Sequence, residues 1–285
     1  MKSSNAILRA LAVFVAVSIL QILAAVLAAL IFPPTAAQPH MPQHFAQWLF
    51  LSNLVTITAL SVFAFRTEWR GFTLGAAVAA IPLVIVLING IEGSIFLKNS
   101  HIDWPQVFLS AAIGAVLSVP VWALLFGRRA DHPQPHFHPI ASKSIGERAW
   151  KFLLCDVSYI ALYLIAGSII WPYIKDFYAT QTVPPMRAIF ALQLLVRGPV
   201  FIVLCILMVR MLALPRISGA LAVGILFTLL SGIAPLLMPN PYFPDSVRWM
   251  HFCEVTSSNF LFGTIVALLW GPPKSLSAPL SLQPA

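Results

Sequence analysis

Charge is what this sequence has least of. Only 9% of its 285 residues are Asp, Glu, Lys or Arg, and nine of those are acidic. An ordinary soluble domain carries about 25%. A water-soluble globule made from this chain would lack the polar surface to cover itself. At 59% hydrophobic residues the disordered and fibrous classes are excluded as well. Cysteine is scarce too. Cys155, Cys205 and Cys253 all sit in apolar segments, and no two form a CxxC pair. A disulfide framework is thereby excluded, and the three read as small buried apolar side chains. The chain has no GxGxxG, Walker A, GxSxG or HExxH motif, so the common soluble-enzyme fingerprints are missing. It also lacks the interleaved basic and aromatic stripe of a nucleic-acid surface, and no nucleic-acid partner is expected.

Long apolar runs are what the chain has instead. A spanning helix needs about 20 mostly apolar residues, and eight segments qualify: 7–32, 45–65, 71–97, 104–126, 150–171, 188–212, 217–238 and 250–270. The expected fold is an all-α polytopic integral membrane protein. The first segment follows Lys2 and Arg9 but is far longer than a signal-peptide core, so it reads as an uncleaved anchor. Trp48, Trp104, Trp150, Trp171, Trp249 and Trp270 fall near span ends, where aromatic side chains anchor at the membrane interface.

The basic residues orient these spans. Lys2, Arg9, Arg66, Arg70, Arg128, Arg129, Lys143, Arg148, Lys151, Arg210, Arg216 and Lys274 lie at one set of ends. Lys98, Lys175, Arg187 and Arg248 lie at the other, and Arg197 is within a span. Basic loops stay in the cytoplasm, which places both termini there, in a cell (plasma or inner) membrane. This asymmetry also accounts for the net charge of +8.

The longest connection divides the chain into a four-helix half (1–127), a basic cytoplasmic linker (128–149), a second four-helix half (150–271) and a tail (272–285). The linker carries His132, His136 and His138 among prolines, a pattern more typical of a linker than of a metal site. The halves look alike in outline. Each has a Pro-containing outer loop, Phe32-Pro33-Pro34 in one and Trp171-Pro172 and Pro184-Pro185 in the other. Each ends similarly, Val121-Trp-Ala-Leu-Leu-Phe-Gly127 against Ile265-Val-Ala-Leu-Leu-Trp-Gly271, and Asn89-Gly-Ile91 matches Ser231-Gly-Ile233. Four spans per unit preserve orientation, so a parallel repeat about an axis along the membrane normal is expected.

Ionisable side chains inside a membrane are costly unless paired or hydrated, and each is a functional candidate. Glu92, Asp156, Arg197 and Glu254 are the clear cases. At 1.5 Å per residue, Glu92 and Glu254 lie roughly 8 Å, and Arg197 roughly 14 Å, inside the outer membrane face. Asp156 falls near the cytoplasmic face and reads as separate, pairing with Lys151 or water. His251, Glu254 and Ser258 share one helix face at i, i+3, i+7, as do Asn89 with Glu92 and Gln193 with Arg197. Gly198-Pro199 follows directly, and the proline removes a helix hydrogen bond, which would free the Leu195 carbonyl toward a cavity.

The expected site is a polar cluster of Asn89, Glu92, Gln193, Arg197, His251, Glu254 and Ser258, open to the extracytoplasmic side. His101, Asp103, Tyr242, Asp245 and Arg248 would form its fringe. One arginine cannot offset two carboxylates, so one glutamate needs a proton, a cation, water or a substrate. His251 and Glu254 as HxxE lack a third patterned ligand, so no metal and no other cofactor is expected. Three functions fit. A transporter or permease for a small or amphipathic, anionic substrate would use Arg197 to bind and a glutamate to carry a proton. An intramembrane enzyme acting on a lipid or lipid-linked substrate would use His251 as general base and Glu254 as its partner. A non-catalytic structural or assembly protein would use the same groups only to hold helices together. The expected partners are the lipid bilayer, a small-molecule, anionic or lipid ligand, and further copies of the chain as an oligomer.

Overall fold

A computed structural model describes residues 3–33, 43–67, 69–96, 103–127, 144–181, 183–212, 214–239 and 244–272. They form eight long apolar helices, each long enough to cross a membrane: α1 (Ala6–Ile31, extending back to Ser3), α2 (Phe45–Arg66), α3 (Gly71–Phe96), α4 (Trp104–Phe126), α5 (Ile145–Ala179), α6 (Met186–Met211), α7 (Arg216–Leu237) and α8 (Asp245–Trp270). The protein is an all-α polytopic membrane protein. His101, Tyr242, most of the linker and the tail lie outside the described residues.

Local chemistry sets the helix ends. The Asp103 carboxylate accepts from the Gln106 amide at 3.5 Å, with Pro105 in the first turn, and Ser144 Oγ accepts from the Glu147 amide at 3.1 Å. Both satisfy amides that the first turn leaves without partners. The Ser144 cap starts α5 five residues earlier than the hydrophobic run does. α5 also continues through Pro172 to Ala179. The Trp171-Pro172 pair, expected in an outer loop, therefore lies inside a 35-residue helix. A single proline removes one intrahelical bond without ending a helix so firmly bounded elsewhere.

Arginines close two other ends. Arg216 donates to the Leu268 carbonyl from Nε at 3.0 Å and Nη2 at 2.6 Å, so the start of α7 caps the end of α8. Arg248 donates from Nη1 to the Leu236 and Leu237 carbonyls at 3.0 and 3.1 Å, pairs with Asp245 at 2.9 Å and stacks over Trp249. Asp103, Asp245 and Arg248, expected at the fringe of the site, thus secure helix ends.

The two halves pack by the same plan. α4 lies against α1 and α3, and α8 lies against α5 and α7. α2 and α7 join the halves. The chain leaving α2 pairs with the chain leaving α6 in an isolated antiparallel bridge, Thr67 with Leu212, reinforced by Thr67 Oγ1 donating to the Met211 carbonyl at 2.7 Å. Outward faces are apolar: on α1, Ile7, Leu8, Leu11, Val15, Ile19 and Ile22 are all exposed while Val13, Val17, Ala24 and Ala28 are buried.

Small residues let the third and fourth helices of each half approach closely, as expected where lipid supplies no hydrophobic drive. A Cβ at Gly75 would strike the Val119 carbonyl, and one at Gly224 would strike Thr264 and the Phe260 carbonyl 2.9 Å away. Gly224→Ala is therefore expected to cost about 1–3 kcal/mol by overpacking. Gly146→Ala, with nothing within 4 Å, should not destabilise. Thermal unfolding of the two variants in detergent checks this. Equal melting temperatures would show that the α7–α8 seam absorbs the extra methyl.

Candidate functional site

Two helices that carry the polar residues are not regular. α6 opens into a π-helical turn at Gln193–Arg197, and α7 does the same at Leu229–Ile233. In each, the turn begins six residues before a proline, Pro199 and Pro235, and the residue before that proline donates its amide five residues back: Gly198 to Gln193, Ala234 to Leu229. The widened turn thus absorbs the bond each proline cannot make. The expected break at Gly198-Pro199 is a wider turn within a continuous helix, with the Leu195 side chain 70% exposed on the outer surface of the bundle. On the inner side Gln193 and Arg197 are buried.

Those two side chains meet α3. Arg197 Nη1 forms an ion pair with Glu92 Oε2. Its Nη2 donates to Asn89 Oδ1 at 3.2 Å. Gln193 Nε2 donates to Glu92 Oε1 at 2.8 Å, and its own Oε1 accepts from the Tyr159 hydroxyl at 3.0 Å. Asn89 Nδ2 reaches the Ser231 carbonyl at 3.5 Å, which is the carbonyl that Pro235 leaves without its helical donor. Asn259 Nδ2 donates to Ser231 Oγ at 2.8 Å. Four of the expected residues, Asn89, Glu92, Gln193 and Arg197, thus form one connected network. It bridges α3 in the first half to α5, α6, α7 and α8 in the second.

A second group lies toward the Ala179 end of α5 and the Asp245 end of α8. His251 Nδ1 contacts Glu254 Oε2 at 2.7 Å, and His251 Nε2 contacts the Tyr178 hydroxyl at 2.8 Å. A neutral imidazole satisfies both contacts by donating from Nδ1 and accepting at Nε2. An imidazolium satisfies them by donating from both. Glu254 is buried beside Gly167 of α5, where a Cβ would lie 3.5 Å from its Oε1. Ser258 joins neither: its hydroxyl donates to the Glu254 carbonyl of its own helix at 2.8 Å.

The charge imbalance expected from two glutamates and one arginine has a local answer. Glu92 is matched by Arg197, and Glu254 by a hydrogen bond from His251, which also balances the charge when the imidazole is protonated. Among the described residues no three His, Cys, Asp or Glu side chains gather as metal ligands.

Beside the network the interior is filled by aromatic rings. Tyr159, Phe201, Phe227 and Phe262 pack edge to face with ring centroids 5.0–5.9 Å apart, and the Arg197 guanidinium lies over Phe201 at 5.2 Å. The two best-formed cavities hold about 10 Å³ each, near Arg70 and near Arg216, at the basic ends of the helices. Each has room for roughly one water, and neither touches the network. Side-chain exposure of 19% at Glu92 and 18% at His251 makes the site more closed than the open cluster expected from sequence.

Asp156 stands elsewhere than expected. It is 6% exposed and packs against Gly198 at the middle of α6, one helical turn from Tyr159. Lys151 pairs instead with Glu147 at 2.7 Å. The sequence places Ser231 only in the half-chain match and Asn259 only beside the α8 stripe, and leaves Tyr159, Tyr163 and Tyr178 out of the site. The tyrosines had a signal: four of the five in the chain lie on α5, three of them in or beside this polar core. Comparison with protein-family models, with curated proteins and with solved structures found no match, so function rests on the geometry of these groups.

Proposed function

We propose that this multi-pass membrane protein is a transporter or permease for a small or amphipathic anionic substrate, with both termini in the cytoplasm and the bilayer as its solvent. The observation that carries the reading is the Arg197–Glu92 ion pair, which is buried and joins the two four-helix halves. The matching helix contacts in each half, and the antiparallel Thr67–Leu212 pairing of equivalent turns, support a two-fold relation about the membrane normal. Transporters built from such units place substrate sites at the seam between them, on interrupted helices. Here the seam holds two π-helical turns and an arginine whose Nε is buried without a hydrogen-bond partner among the described residues. An anion entering from the outer side would compete with Glu92 for Arg197. Protonating Glu92 would release the guanidinium to it and loosen one half from the other.

Mass spectrometry of lipids and metabolites that co-purify with the wild type and with the Glu92→Gln/Arg197→Met double variant tests this. Loss of an anionic species in the variant is the expected result, and identical profiles would overturn the reading. Orientation has its own check: alkaline phosphatase fused to either terminus should be inactive.

A second reading, an intramembrane enzyme acting on a lipid or lipid-linked substrate, draws on the Tyr178–His251–Glu254 chain. A carboxylate that orients an imidazole against a hydroxyl is the arrangement general-base chemistry uses. The readings part on energy. A proton-coupled carrier stops concentrating substrate when the pH gradient collapses, whereas an enzyme turns over in detergent micelles.

A further inference from the structure

Each outer carboxylate of the site is already engaged, Glu92 with Arg197 and Gln193, Glu254 with His251. Asp156 is not. Its side chain is 94% buried, reading from its 6% exposure, and Oδ1 has no hydrogen-bond partner among the described residues. Oδ1 points into the space that a side chain at Gly198 would fill. The Gln193 carbonyl, 3.0 Å from that same point, and the Tyr159 ring, 3.1 Å from it, converge there. Gly198 ends the π-helical turn that presents Gln193 and Arg197. The carboxyl group is therefore seated at the base of the network, against the irregular part of α6.

Charge on an unpaired carboxylate is costly in such a place, and a proton on the group removes that cost. The charged and titratable groups facing it from neighbouring elements are few. Lys151, Cys155, Tyr159 and Tyr163 share α5, with Lys151 committed to Glu147. Arg197 on α6 is committed to Glu92, and Cys205 on α6 is fully buried. On α8 the titratable residues Asp245, Arg248, His251, Cys253 and Glu254 all lie in its first ten residues.

We propose that Asp156 is a proton-binding site that couples this transporter, set against the π-helical turn of α6 that presents Gln193 and Arg197. The inference rests on the transport reading above. The proton taken up forms the O–H of Asp156, and its release leaves the carboxylate. A bare carboxylate there lies beside the Gln193 carbonyl and acts on the turn that holds Arg197 on Glu92.

Infrared difference spectroscopy of the full-length protein in phosphatidylethanolamine–phosphatidylglycerol vesicles tests this without a substrate. The wild type should show a carboxylic-acid C=O band at neutral pH that shifts when the buffer is exchanged for D2O. Asp156→Asn should remove the band. A band that survives in Asp156→Asn, or a wild type whose band is absent or never shifts, would each overturn the proposal. The wild-type measurement stands even if Asp156→Asn fails to fold. A failed transport reading appears separately, as no substrate flux in vesicles whose band behaves as expected.

Discussion

Arg197→Met should destabilise the folded bundle by about 3–5 kcal/mol, and adding Glu92→Gln should recover most of that loss. The asymmetry follows from burial. Arg197 is 9% exposed and Glu92 19%, so removing the guanidinium leaves a carboxylate in low dielectric with only the Gln193 amide to serve it. Asn89 loses its donor in the same step. Methionine keeps the apolar stem that packs over Phe201, so the measured cost reports lost charge and hydrogen bonds more than a cavity. In the double variant both charges are gone. The introduced glutamine can exchange an amide hydrogen bond with Gln193, so no uncompensated charge remains. Melting of the two single variants and the double variant in detergent, read as a double-mutant cycle, measures the coupling. The same proteins separate function from glue. If the pair only holds α3 to α6, the double variant is both folded and active. If Arg197 binds substrate, it is folded and inactive. Arg197→Lys sharpens the distinction, because lysine keeps the charge but not the planar fork that reaches Glu92 and Asn89 together.

The spans were legible because hydrocarbon imposes one rule, about 20 apolar residues per crossing, and nothing in an eight-helix chain competes with it. Their ends were less so. Apolarity stops near Trp171, but α5 runs on to Ala179 because a proline costs one bond and the outer segment can still pack through Ile174 and Tyr178 against Val247 and Met250. The site was legible where residues share a face of one helix, as Asn89 with Glu92 and His251 with Glu254. It was illegible where a partner arrives from another helix. Nothing in the sequence around Asp156 announces Gly198, forty-two residues away, whose missing side chain makes room for the carboxylate. Arg248 misled in the opposite direction. Its spacing extends the His251 stripe outward, yet its guanidinium turns to the open carbonyls at the end of α7, because a buried helix end claims the nearest strong donors. The second proline-linked turn, at Leu229–Ile233, was equally readable as a motif. It repeats the six-residue spacing of the first and supplies the Ser231 carbonyl that completes the network.

Glu254→Gln should leave the fold intact and reduce function by roughly 10²–10⁴-fold, the range that a positioned proton-transfer group supplies. The substitution is nearly isosteric. The glutamine oxygen can still accept from His251 Nδ1, and the amide fits beside Gly167, where the nearest carboxylate oxygen lies 3.5 Å from a hypothetical Cβ. What disappears is the negative charge that stabilises an imidazolium at His251. A protonated His251 then faces an amide on one side and the Tyr178 hydroxyl on the other, with no counter-charge in contact. In a carrier this raises the barrier for protons entering from outside, so uptake driven by a pH gradient falls while substrate binding at Arg197 persists. In an enzyme the same change weakens the general base, and turnover falls with or without a gradient. Tyr178→Phe separates these further. It keeps the ring that stacks on Trp171 at 6.2 Å and removes only the hydroxyl beside Nε2. The carrier still has Glu254 in contact with His251 and should lose less than Glu254→Gln does. An enzyme that uses the tyrosine as the group activated by His251 should lose as much. Flux in vesicles and turnover in micelles, each measured for both variants, decide between these outcomes. Full activity of Glu254→Gln in both assays would remove the outer group from the mechanism and leave Arg197, Glu92 and Asp156 to account for it.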